Sequence, residues 1–167
     1  MANVRFEDNS IKVKEALGDA AISYLYEAAG ELEAQTKRNM PPGQWFARQK
    51  GEWTYKVDEG RLEAKVGNPM QQSLWTEFGT GEYAAKGDGR KGYWVYVKGS
   101  DGSTTSKGGN SYTLAEAKRI VAMMRADGLD AHYTKGQSPK RPLENAFTSL
   151  KSALIRRAEQ IMKGLGS

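Results

Sequence analysis

The sequence predicts an α+β fold in which a long N-terminal helix and an amphipathic C-terminal helix pack on a mostly antiparallel sheet that carries a βαβ-like insertion. Three patterns lead there. Apolar residues recur at three- and four-residue steps over a long stretch near each end. Between those stretches, short runs alternate apolar and polar residues and are parted by turn residues, as half-buried strands do. In the second half, a third helical pattern stands between two strand-like runs.

Residues 1–9 read as a frayed lead-in. A helix is expected from Ser10, whose hydroxyl can cap it, and Leu17, Ala21, Leu25, Ala28 and Leu32 give it one apolar stripe. Pro41 and Pro42 stop it by Asn39, after roughly 28 residues or about 42 Å. Pro41 to Gly51 reads as a loop. Glu52 to Asp58 and Arg61 to Val66 alternate and flank the turn Asp58-Glu59-Gly60. They form a hairpin with Leu62, Ala64 and Val66 on one face. Asn68-Pro69 breaks it. Ser73 to Phe78 reads as a short strand, Leu74, Thr76 and Phe78 facing one way and Trp75 and Glu77 the other. It ends in the turn Gly79-Thr80-Gly81.

A glycine- and lysine-rich loop, 84–92, precedes the strand Tyr93 to Val97. Gly99 to Asn110 consists almost wholly of turn and linker residues. Thr113 and Glu116 have the spacing of a capping box. The helix they open turns Leu114, Ala117, Ile120, Val121 and Met124 inward, and Gly128 ends it. Leu129 to Tyr133 is a further strand, expected to pair with Tyr93 to Val97 in parallel through a right-handed crossover. The last helix opens near Pro142 and runs to about Lys163. Its stripe is Leu143, Phe147, Leu150, Leu154, Ala158, Ile161 and Leu165. With 167 residues, the expectation is one domain, its core roughly 10–83 and 130–165 and its insertion roughly 84–129.

Composition narrows the chemistry. A hydrophobic content of 38% places the chain among globular proteins, and no apolar run is long enough to span a bilayer. The absence of cysteine excludes disulfides, thiolate metal sites and cysteine nucleophiles, and fits a reducing compartment. His132 is the single histidine, expected to lack a nearby Asp, Ser or Cys partner, and no ligand pair stands at metal-binding spacing. Neither catalysis nor a cofactor or metal is expected. The net charge is +5, but unevenly spread: residues 1–81 carry 10 basic and 12 acidic side chains, residues 82–141 carry 11 and 6. In the basic half, Lys86, Arg90, Lys91, Lys98 and Lys107 are interleaved with Tyr83, Tyr93, Trp94 and Tyr96, a pattern that suits phosphates and unpaired bases. A buried strand flanked by solvated loops explains it equally well.

The stretch SLWTEFGTGEYA, with the downstream turn Thr134 to Pro139 and the helix opening Arg141-Pro142-Leu143-Glu144-Asn145-Ala146, resembles the tailed-bacteriophage head–tail joining and tail-completion family, which includes the minor tail protein Z type. The resemblance spans most of the chain except roughly 86–129. It implies a structural virion protein at the head–tail interface, made in the host cytoplasm. Such a protein would assemble, without catalysis, into a sixfold ring and would meet tail-tube, terminator and head-connector proteins. It also implies that Trp75, Glu77, Phe78, Gly79, Thr80, Gly81, Arg141 and Pro142 lie at a subunit or partner contact, with the other side of that contact on a helix such as the N-terminal one. Glu77 would accept backbone N–H or Arg bonds that fix the turn, Arg141 being the candidate partner. The basic loops would face genome DNA without reading its sequence. The alternative reading is a small basic nucleic-acid-binding protein, in its catalytic form a phage nuclease with His132 as base.

Overall fold

A computed structural model describes residues 10–100, 104–106 and 109–164, with side chains from Glu15 onward. The lead-in before Ser10, the Ser10 side chain, Lys107, Leu165 and part of the glycine-rich stretch lie outside the described residues. The fold is mixed α+β, with long terminal helices and antiparallel sheets. It divides into two compact units, one of residues 1–70 and 142–167, the other of residues 71–141.

In the first unit, α1 (Ser10–Asn39) stops before the two prolines, as expected. The next segment is a second helix, α2 (Gln44–Gly51), rather than a loop. The prolines end one helix without forbidding another. Gly43, at φ 120°, redirects the chain, and its carbonyl accepts the N–H groups of Phe46 and Ala47 at 3.0 and 3.1 Å. Strands β1 (Thr54–Asp58) and β2 (Glu63–Gly67) pair antiparallel, Tyr55 opposite Val66 and Val57 opposite Ala64. These four residues make the less exposed face. Leu62 falls outside the strand, in the turn, at φ 52° and 49% exposed. Here the Asp58 side chain accepts the Arg61 N–H and shapes the bend instead.

The last helix, α5 (Pro142–Gly164), runs against α1 in the opposite direction. Asn39 Nδ2 reaches the Pro142 carbonyl at 3.2 Å at one end, and the Tyr24 hydroxyl reaches the Leu154 carbonyl at 2.8 Å further along. Arg157 bridges Glu27 and Glu31 at 2.6 and 3.0 Å. Alanines and glycines hold the close approaches: Ala29 and Ala146 are buried, and Gly30 lies under the Tyr55 ring.

In the second unit, Gln71–Phe78 is α3, a helix where alternation predicted a strand. Its buried residues are Ser73, Thr76 and Glu77, a three- and four-residue spacing that belongs to a helix and not to a strand. After a single 3₁₀ turn, Gly81–Tyr83, and the 84–92 loop comes β3 (Trp94–Lys98). The linker-like stretch contains β4 (Thr104–Ser106), antiparallel to β3. Helix α4 (Leu114–Ala126) has the predicted capping box at both ends of the Thr113–Glu116 pair. It closes in a glycine-ended cap: Gly128, at φ 82°, bonds Arg125, and Leu129 bonds Met124. Strand β5 (Ala131–Thr134) then pairs with the other edge of β3, antiparallel rather than parallel. The reason is β4. It reverses the chain before α4 begins, so the crossover joins β4 to β5, which run parallel to each other on either side of β3. The core of this unit is Val95, Ala117, Val121 and Ala131, with Ile120 and Met124 against it. Leu114, expected inward, is 40% exposed at the helix start.

Candidate subunit contact site

Two parts of the sequence far apart in the chain meet at the glycine turn. The Thr80 N–H donates to the Gln137 carbonyl and the Gln137 N–H to the Thr80 hydroxyl, at 2.9 and 3.0 Å. The Glu82 N–H donates to the Lys135 carbonyl at 2.9 Å and the Lys140 N–H to the Thr76 carbonyl at 2.8 Å. The segment 135–140 is thus clasped along 76–82. The clasp depends on the absence of side chains where backbones touch. A Cβ on Gly81, which is at φ 61°, would strike the Lys135 carbonyl and come within 2.7 Å of the Trp94 ring. One on Gly136 would strike the Thr80 carbonyl.

Charge locks the same corner. Glu82 accepts the Gly92 N–H at 3.2 Å and holds the Lys135 ammonium at 3.4 Å. That ammonium also lies 5.2 Å from the centre of the Tyr83 ring. Its pKa is raised, first by the hydrogen bond to Tyr83 and then by Glu82. Lys135 therefore stays charged and serves as a tie, not as a base.

The helix that leads into the clasp is inverted. Ser73, Thr76 and Glu77 are buried, whereas Leu74, Trp75 and Phe78 are 57%, 41% and 48% exposed. The exposed three sit at positions i, i+1 and i+4, so they share one side of α3. Tyr83, 42% exposed, follows just after the turn. Of the residues expected at a contact, Trp75 and Phe78 present apolar surface and Arg141 is exposed at φ 52°. Gly79 and Thr80 are half-buried, and Glu77, Gly81 and Pro142 are buried, Pro142 as the first residue of α5 in the other unit. Leu74 was not singled out for the contact, although a helical reading of the same stretch groups it with Trp75 and Phe78.

The basic residues are placed differently from one another. Arg90 bonds the Asn110 carbonyl and the Ser111 hydroxyl and lies over the Trp94 ring at 5.1 Å, so it ties two loops together. Lys91 reaches the Gly87 carbonyl. Lys86 and Lys98 are exposed, and Lys107 is outside the described residues. Contrary to the expectation of a histidine without an Asp partner, His132 has Asp130 Oδ1 at 2.7 Å from its Nε2, because alternate residues of an extended chain lie on one face; its ring stacks on Tyr96 across the β3–β5 pair. Among the described residues, no cluster of three or more His, Asp or Glu side chains is arranged to hold a metal ion, and no helix is long and apolar enough to cross a membrane.

The first unit carries a second apolar feature, a groove of about 680 Å³ walled by α1, β2 and α5. On its α5 lip Phe147, Ile155 and Met162 are 48%, 50% and 57% exposed. Only Phe147 belongs to the predicted stripe. Ile155 and Met162 lie beside it, seven residues apart, and their spacing shows that α5 has more apolar surface than one packed face uses.

No protein-family model, no curated protein and no solved structure matches the chain.

Proposed function

We propose that the chain is a structural protein of a tailed-phage virion, acting at the head–tail interface by binding neighbouring subunits and not by catalysis. The observation that carries this reading is the inverted helix α3. Leaving Leu74, Trp75 and Phe78 in water on one side of the helix is unfavourable for an isolated chain. It is the expected arrangement for a helix whose apolar side belongs against a partner. Two of the three segments that carry the resemblance, SLWTEFGTGEYA and Thr134 to Pro139, support it further, because their backbones clasp each other directly beneath that helix end. Nucleic-acid binding has less support, since Arg90 is engaged with the Asn110 carbonyl of a second loop and Lys91 with the Gly87 carbonyl of its own.

The test is genetic. In the phage that encodes the protein, a nonsense mutation in its gene should yield filled heads and separate tails. Supplying the wild-type chain should join them, and a folded Trp75→Asp, Phe78→Asp double variant should not. Infectious particles assembled without the chain would refute the proposal.

A further inference from the structure

The groove lies wholly within the first unit, and none of its lining residues belongs to the clasp or to α3. We propose that it is a binding site for a single-chain anionic amphiphile: the hydrocarbon tail of a fatty acid lies along α5 and its carboxylate rests at Lys151.

Dimensions carry the first step. The lining runs about 12 Å along α1, from Tyr24 to Leu32, and about 24 Å along α5, from Phe147 to Lys163. A volume of about 680 Å³ spread over the mean of those lengths is a slot about 7 Å across. A helix is about 10–12 Å across with its side chains and would stand on the lips instead of filling the slot. A hydrocarbon chain, whose packed carbon atoms lie about 4 Å from their neighbours, fits in single file.

Hydrogen bonding carries the second. The walls are Leu25, Ala28 and Leu32 of α1, Val66 of β2, and Leu154 and Ala158 of α5. Tyr24 brings a hydroxyl to the α1 wall, but it already donates to the Leu154 carbonyl. β2 pairs with β1 on one edge, so an extended peptide in the slot could bond to the other. The peptide's second row of N–H and C=O groups would then face apolar side chains of α5 without partners. A hydrocarbon tail brings no such groups.

Charge places the head group. Lys151, Glu159 and Lys163 are the charged residues of the lining. Glu159 stands one helical turn before Lys163 and offsets its charge. For Lys151, the nearest carboxylate of the lining is also Glu159, about 12 Å along the helix, and Lys151 forms no ion pair among the described residues. Lys151 is the uncompensated cation of the groove and suits a carboxylate. From there the tail runs past Ile155 and Met162, both half exposed, over about 16 Å. At about 1.3 Å per carbon of an extended chain, that length accepts about twelve to fourteen carbons.

The experiment titrates the full chain with saturated fatty acids of increasing length, each kept below the concentration at which it forms micelles. Affinity should rise about fourfold per added methylene and level off near about fourteen carbons, where the tail leaves the groove. Among isotope-labelled methionine methyls, Met162 should shift on binding and Met123, exposed on α4, should not. Lys151→Glu should weaken binding by about tenfold and Lys163→Glu by less than about threefold. Ala158→Phe should fill the slot and abolish binding; Ala28→Phe takes its place if that variant fails to fold by circular dichroism. Five results would overturn the proposal: affinity independent of chain length, no shift at Met162, equal binding of the alkylamine of the same length, binding to phosphatidylglycerol vesicles in place of the monomeric fatty acid, or a Met162 signal that follows protein concentration and not the fatty acid. The last would assign the groove to a second copy of the chain. Failure of this inference leaves the reading of the α3 face standing, because no residue of that face enters the measurement.

Discussion

Replacing Gly81 with alanine tests the clasp most directly. The residue is at φ 61°, where an L side chain costs about 1–2 kcal/mol. The added Cβ would also overlap the Lys135 carbonyl, approach the Trp94 ring to 2.7 Å and the Gly136 Cα to 2.9 Å. Two of these three contacts are backbone and cannot swing aside, so relief requires the 135–137 segment to move, at a cost of about 1–3 kcal/mol. That movement stretches the Glu82 N–H bond to Lys135, worth about 1 kcal/mol. The expected loss is about 3–6 kcal/mol, a large share of an ordinary domain's stability. Gly128 is the control. It has nearly the same backbone angle, φ 82°, but nothing lies within 4 Å of its added Cβ. Gly128→Ala should therefore cost only the strain, about 1–2 kcal/mol. In urea unfolding, with a slope of about 2 kcal/mol per molar, the midpoints should fall by about 2 M and by less than 1 M respectively. Hydrogen exchange at the Thr80 and Glu82 amides should speed up in the first variant beyond the second. Equal losses in the two variants would refute the clasp.

Three further outcomes follow from the local chemistry. Thr113→Ala removes a cap that is made on both sides of the box, and should cost about 1 kcal/mol in thermal unfolding of the second unit. Glu116 has its pKa lowered, first by the backbone N–H of Thr113 and then by the Thr113 hydroxyl. A depressed carboxylate stabilises the fold above its ordinary value and loses that contribution as pH falls through the folded value. The wild-type chain should thus lose stability on acidification more steeply than Glu116→Gln, and parallel acid titrations would speak against the box. Arg157→Ala should weaken the α1–α5 pairing in low salt and much less in high salt, because the ion pairs with Glu27 and Glu31 are partly exposed; a loss independent of salt would assign the effect to packing instead.

Elements built on strong periodicity or local chemistry were legible in the sequence. Both terminal helices, the hairpin around Asp58, the Thr113–Glu116 box and the Gly128 stop were each read from residues a few positions apart. What depended on distant partners was not. The three residues of β4 look like linker, Thr104, Thr105 and Ser106, and are a strand only because β3 offers them an edge. Without β4, a helix between two strands implies a parallel pair, and so the topology of the second sheet was read wrongly. Two prolines and a glycine before Gln44 concealed α2, because they mark where a helix ends more clearly than where the next begins.

The misreading of Ser73 to Phe78 has a different cause, and it bears on function. Periodicity methods assume that the apolar residues are the buried ones. Applied to Leu74, Trp75, Thr76, Glu77 and Phe78, that assumption finds alternation and returns a strand. The helical period is present all the same, but in the polar residues: Ser73, Thr76 and Glu77 are the buried set. A helix that turns its apolar side outward is invisible to a rule that places apolar residues inside. Local rules fail most informatively where a sequence departs from them without an evident gain within its own fold. The same reasoning applies to α5, where Ile155 and Met162 exceed what α1 can cover. Two separate surpluses of apolar surface, on α3 and on α5, are costly while they stand in water, and neither could be read from a rule that counts apolar residues as buried.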